Sequence, residues 1–433
     1  MGDRSGHAQG HRSAREVSGS RILLDLRPLR ESAPFRRVFA ARTISIFGIG
    51  MLMVGVPIQV YDLTGSTLLV GFVTAAEGIA SIGGMLLGGA LADRYDRRTL
   101  ILFARTVSGF TFVGLAVNAM LADPSIVAIV VLAVVNGLIG SISVAALMSV
   151  VPELVPKDQL VGAGAVNVLS ARLGAVISPA LGGLVIAAAS VAWNYWIAAV
   201  GTAITVALLT GLPSLSPRTP QGDGESDAAE PVERVLAFLA RERVVGGVIA
   251  AGTLAMLGGG LLVLVPAFVA ERFDGDSRAV GILYAAGAVG AVGATLTSGW
   301  LGRARRPGVV LLVALAATFG VQALVGQATV IVAAVAALVV AGALSSVQEV
   351  LRFSLIQSHT PNHLRGRVSG LWTAQEVGGM SVGALVAGAF GSWLPASQAV
   401  TVYGLVALAL AAVLAVVLGS LRRVVAHDAM VVA

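Results

Sequence analysis

From Val127 the chain reads VAIVVLAVVNGLIGSISVAAL, 21 residues without a charge. A helix needs about 20 predominantly apolar residues to cross the hydrocarbon core of a bilayer. Only helices and closed barrels satisfy their backbone hydrogen bonds there. Barrel strands would come as alternating segments of about ten residues, and this run does not alternate. The segment therefore reads as a membrane-spanning helix. The whole chain is of the same kind: 433 residues, 56% hydrophobic and 12% charged, against about 25% charged in soluble domains.

Twelve spans are predicted, at 38–61, 66–91, 99–121, 125–150, 160–189 and 193–212, then 244–270, 278–301, 308–327, 329–356, 367–391 and 397–420. An N-terminal tail covers 1–37, a linker 213–243 and a C-terminal tail 421–433. The linker divides two six-helix bundles, 38–212 and 244–420. It is rich in Pro, Gly, Ser and acid up to Pro231, and "ERVLAFLARERVV" after that has apolar residues at helical spacing.

The arginines fix the sides. Arg36 and Arg37 precede span one, and Arg94, Arg97 and Arg98 follow span two. Arg303, Arg305 and Arg306 follow span eight, Arg365 and Arg367 follow span ten, and Arg422 and Arg423 close the chain. The alternate loops hold Arg272 and Arg278 among Asp62, Asp123, Glu271, Asp274 and Asp276. The positive-inside rule places both termini in the cytoplasm, and an even span count agrees. With this distribution the net charge of +6 orients a membrane protein and does not point to nucleic acid. There is no cysteine, and His7, His11, His359, His363 and His427 are scattered, so no metal site is expected.

The loop after span two reads GGALADRYDRR. Gly89, Asp93, Arg94, Arg97 and Arg98 stand at the spacing of the loop signature of the major facilitator superfamily, with Asp96 where glycine is usual. In span five, RLGAVISPALGG resembles the antiporter helix signature of the same superfamily through Gly174, Pro179, Gly182 and Gly183, with Ser178 in a usual glycine position. The stretches VAWNYWIAAVGTAIT, GILYAAGAVGAVGATLTSG and GRVSGLWTAQEVGG resemble the branch that exports catecholate siderophores such as enterobactin, whose neighbours export macrolides and other drugs. The resemblance implies an all-α fold of two six-helix bundles related by a pseudo-two-fold, working by alternating access in a bacterial cytoplasmic membrane. It also implies that Asp93 latches the cytoplasmic ends of the halves together by meeting the start of span eleven. On that reading Asp93→Asn inserts normally but impairs transport.

Ionisable groups at membrane depth are functional candidates by default. Arg172 either binds an anionic group of cargo or pairs with Glu77 or Glu376. Glu349 and Arg352, three apart, read as a structural ion pair. Proton antiport needs a carboxylate that takes up and releases a proton, and Glu77 and Glu376 are the candidates. Asn167, Trp372 and Gln375 are expected to act together at a polar cavity, since they fall at related places in spans five and eleven. No phosphate-cradling loop and no nucleophilic constellation is present, so the protein reads as a secondary transporter and not an enzyme. It needs no cofactor, and the expected coupling ion is a proton. The partners expected are a small-molecule cargo, siderophore or hydrophobic drug, and the lipid bilayer, with the chain a monomer. A non-transporting sensor or scaffold on the same fold is the alternative of another class.

Overall fold

The computed structural model describes residues 27–156, 159–212 and 232–425. All regular elements among them are helical. The long helices are α1 (Ala33–Thr64), α2 (Thr67–Arg94), α3 (Arg97–Met120), α4 (Ile126–Leu154), α5 (Leu160–Ala188) and α6 (Val191–Thr210), followed by α7 (Arg243–Arg272), α8 (Ser277–Leu296), α9 (Pro307–Val325), α10 (Ile331–His359), α11 (Asn362–Trp393) and α12 (Ala396–Val417). Of these, eleven are long and apolar enough to cross a bilayer. The exception is α11, a 32-residue helix whose Arg365, Arg367, Gln375 and Glu376 lower its hydropathy.

Side chains cap several helix starts. Ser66 accepts from the Leu69 amide, Asp96 from Thr99, Ser125 from Ala128 and Asp276 from Arg278, each satisfying an amide that the first turn leaves open. The turn between α1 and α2 needs only Gly65 and Ser66, with Gly65 at φ 61°, a left-handed conformation that glycine adopts without strain. At the other end of the bundle, Arg37 and Arg98 donate to the carbonyls of Gly211 and Thr210. Two cations therefore close the negative end of the α6 dipole.

Several helices run past the predicted span ends, most clearly α1 and α11, which continue by a turn beyond the apolar core. The reading of 244–270 as one regular helix is corrected. α7 is helical to Gly258, passes through a 3-10 segment at Gly259–Leu264 and resumes at Val265. The likewise predicted span 278–301 is helical only to Leu296 and ends in a 3-10 turn, Ser298–Arg303.

Within the first half α1 packs on α5 and α6, α2 on α4, and α3 on α4 and α6. The second half repeats these neighbours with α8 on α10 and α9 on α10 and α12. Between halves the principal contacts are α2 with α11 and α5 with α8. Exchanging the halves converts one of these pairs into the other, as a parallel repeat requires.

The interface is closed at one end only. Thr67 donates to the Gly388 carbonyl at 2.9 Å, and Gly71 faces the backbone of Ala384 and Gly388. Gly183 and Gly281 face each other, with no room for a side chain on either. All lie at the end away from the arginines. Toward the arginine-rich end, Gly89 on α2, Gly164 on α5, Gly293 on α8 and Gly370 on α11 face open space, and Leu86, Val168, Leu169 and Leu296 are exposed.

Candidate functional site

Between the halves lies a cavity of about 370 Å³ lined by α1, α2, α4, α7, α8 and α11. Its wall is mainly apolar: Leu52, Val56, Leu262, Val263 and Val377 with Met53, Met85 and Met380. Methionines let such a wall adapt to more than one shape. The polar contributions among the described residues are hydroxyls of Thr74, Ser81, Ser141, Tyr284 and Ser381, and one carboxylate, Glu77.

Glu77 sits in the middle of α2 and takes a hydrogen bond from the Asn136 side chain on α4. Asn136 is itself held, since its Oδ1 accepts from the Thr111 hydroxyl at 3.3 Å, which leaves its amide nitrogen for Glu77. Gly137, beside it, lies against the Glu77 backbone. A larger residue there would push α4 away and break the Asn136 contact. The carboxylate is thus fixed on one side and faces the cavity on the other.

The 3-10 segment of α7 borders the same cavity through Gly259 and Gly260. Helix carbonyls freed by such a break need donors, and three side chains from other helices supply them. Tyr403 donates to Leu257, Gln322 to Gly258 at 3.5 Å and Tyr284 to Leu262 at 2.9 Å. The sequence reading missed this arrangement. The run Gly258–Gly260 was the available signal, but its partners are remote in sequence.

Arg172 pairs with neither Glu77 nor Glu376. Its Nη2 lies 3.3 Å from Glu349 on α10, joining the two halves, and both side chains are more than a third exposed. The expected Glu349–Arg352 pair is also corrected. Arg352 is buried, donates to Gln375 Oε1 at 2.9 Å and lies 5.2 Å from the Trp372 ring centre. Gly252 on α7 leaves the space its guanidinium fills. Gln375 in turn donates to the Ile249 carbonyl and the Thr253 hydroxyl, and Trp372 donates to Glu376 at 2.7 Å. Trp372, Gln375 and Glu376 therefore join Arg352 in a polar knot inside the second half. Asn167 is not with them; it is buried on α5, three residues before Ser170, which bonds Thr43 on α1 at 2.7 Å.

The span-five motif has two faces. Gly174, Ser178 and Gly182, four apart, lie against α1, where they meet Ile46, Gly50 and Met51. Pro179 and Gly183 lie against Gly281 on α8 across the halves. Pro179 also has no amide to give the carbonyl of Ala175. In the loop motif, Gly89 and Arg94 are exposed, Arg97 is buried and Arg98 caps α6. Asp93 closes α2, and its side chain lies outside the described residues. Asp96 is the N-cap of α3, a role its position before Arg-Arg-Thr could have revealed.

Residues 38–380 match the Major Facilitator Superfamily. The chain belongs to that superfamily. It is a multi-pass membrane protein and a secondary transporter, as the superfamily members are. It is 41% identical over 406 residues to the enterobactin exporter EntS of Salmonella typhimurium (strain LT2), covering 93% of this chain and 96% of that protein. It is 39% identical over 404 residues to the enterobactin exporter EntS of Escherichia coli (strain SMS-3-5), with 93% and 95% covered. Among solved structures the nucleoside transporter NupG aligns with a TM-score of 0.73 at 14% identity, over 90% of this chain and 99% of that one. A bacterial homologue of the lysosomal transporter Spinster, in its inward-facing unoccupied conformation, gives 0.69 at 13%, over 91% and 96%. Those two alignments support the superfamily fold.

Proposed function

We propose that the protein exports an enterobactin-like catecholate siderophore by alternating access, driven by proton entry through Glu77. The cargo class rests on one observation, the 41% identity to enterobactin exporters over nearly the full chain. The placement of the arginines supports both termini being cytoplasmic. The open end is then the cytoplasmic one, so the conformation is that of a pump ready to load. Asp93 on this reading latches α2 to α11 only after the halves rock, which fits the open space beside Gly89.

Cargo reaches the cavity past the Arg172–Glu349 pair. An ion pair this exposed contributes at most about 1 kcal/mol, so it opens easily, and the freed guanidinium can meet a catecholate oxygen. Reversing either charge alone (Arg172→Glu or Glu349→Arg) is expected to lower efflux. Reversing both is expected to recover much of it, at unchanged melting temperature. Efflux equally low in the double variant would remove the pair from the pathway.

The Met-rich apolar wall favours a second reading, efflux of hydrophobic drugs. A deletion strain separates the two. Loss of secreted catecholate under iron starvation, restored by the plasmid-borne gene, is expected. Unchanged secretion with increased drug sensitivity would make the drug reading the correct one.

A further inference from the structure

Arg105 stands apart from the transport pathway. It lies eight residues after Arg97 on α3, about 12 Å along the helix at 1.5 Å per residue. It is 6% exposed. Among the described residues it has neither ion pair nor hydrogen bond, and no charged group acts on it. A cation at membrane depth without a partner is costly, and such residues face a cavity or a counter-charge. Arg105 does line a groove, of about 290 Å³, between α3 and α6. The rest of the groove is Phe110, Val113, Ala199, Ala203 and Val206 with Thr106, Gly109 and Thr202. Neither helix has substantial contacts with the second half, and Phe110 is 70% exposed, so the groove opens on the outer surface of the bundle.

We propose that this groove holds one anionic phospholipid of the inner leaflet, its phosphate on the Arg105 guanidinium and an acyl chain along the apolar wall. Depth, charge and shape all point to that occupant. The headgroup layer is roughly 5–8 Å thick on each side of the hydrocarbon core, so Arg105 lies just beneath it, where a lipid phosphate drawn into the mouth of the groove meets the edge of the buried guanidinium. Arg37 and Arg98, which meet the end of α6, add positive charge at the headgroup level above the groove. A free phosphate would satisfy the guanidinium but leave the apolar wall uncovered.

The test is native mass spectrometry and thermal melting of the full-length purified protein with dioleoyl phosphatidylglycerol, dioleoyl phosphatidylcholine or inorganic phosphate. The wild type is expected to retain one phosphatidylglycerol and to melt higher with it than with phosphatidylcholine, with no response to phosphate. Arg105→Gln is expected to weaken phosphatidylglycerol binding roughly fivefold, and Arg105→Lys to keep most of it. Ala203→Trp fills the groove while leaving the charge, and is expected to lose the lipid too. Three results would overturn the proposal: equal retention of the two lipids, unchanged binding in both Arg105→Gln and Ala203→Trp, or a phosphate response as large as that to phosphatidylglycerol. If Arg105→Gln does not fold, Ala203→Trp decides alone.

Discussion

Glu77→Gln is expected to abolish proton-driven efflux while leaving expression, membrane insertion and melting temperature unchanged. Glutamine keeps the size of the side chain, and its carbonyl still accepts from Asn136, so the packing of α2 on α4 survives. What it loses is the ability to bind and release a proton at the only carboxylate that lines the cavity among the described residues. Cargo binding to the variant, measured in detergent by tryptophan quenching, should persist but lose its dependence on pH. Asn136→Leu tests the same point from the other side. It removes the donor and leaves a buried acceptor unsatisfied, which costs about 1–3 kcal/mol, so it should impair both stability and efflux. Glu77→Gln with normal pH-driven efflux would move the coupling group elsewhere, and Glu376, held by Trp372, is the remaining candidate.

The second large effect is expected at the closed end. Gly183→Leu places a side chain where α8 runs, against Gly281 and the Ser277 carbonyl. Overpacking of this kind costs about 1–3 kcal/mol. Because the contact exists only while this end is shut, the cost falls on one conformation. Shifts of that size change a two-state ratio about 5–150-fold. The chain has no cysteine, so a single introduced thiol reports on its own. Ser381→Cys, buried between α2 and α11, should be poorly labelled from outside by a membrane-impermeant maleimide in the wild-type background. In the Gly183→Leu background it should be labelled readily, with efflux lost. Gly89→Leu, facing open space, should leave the labelling unchanged in this conformation. Equal labelling of Ser381→Cys with and without Gly183→Leu would show that this contact does not hold the gate.

How far the sequence carried depends on how local each feature is. The spans followed from hydropathy; the caps Ser66, Ser125 and Asp276 are equally local, each bonding an amide two or three residues on, but were not read from the sequence. The small residues of RLGAVISPALGG announced close helix approach. The sequence could not say that Gly174 and Gly182 approach α1 while Gly183 approaches α8. That depends on which way the helix is turned in the assembled bundle. The ion pairs show the same limit. Glu349 and Arg352, three apart, make a reasonable pair on an isolated helix. In the bundle Gly252 opens a space for the Arg352 guanidinium, and Gln375 and Trp372 hold it there. Glu349 is then left to Arg172, 177 positions away. The break in α7 was written in Gly258–Gly260, but its stability depends on Tyr284, Gln322 and Tyr403, which only folding brings together. Asn167 failed as a member of the Trp372 and Gln375 group for the same reason: equivalent places in two repeats face equivalent neighbours, not each other.

The most direct test of the account is transport in proteoliposomes holding only this protein, with an imposed pH gradient and purified enterobactin or a comparable triscatecholate as cargo. The gradient is set so that protons flow against the direction of cargo movement. Accumulation of the catecholate that collapses with a protonophore and is absent in Glu77→Gln is the predicted result. Gradient-driven accumulation of a hydrophobic drug with none of the catecholate would contradict the assigned cargo. Movement of neither, by protein that is folded and correctly inserted, would contradict the assignment of this chain as a proton-driven exporter.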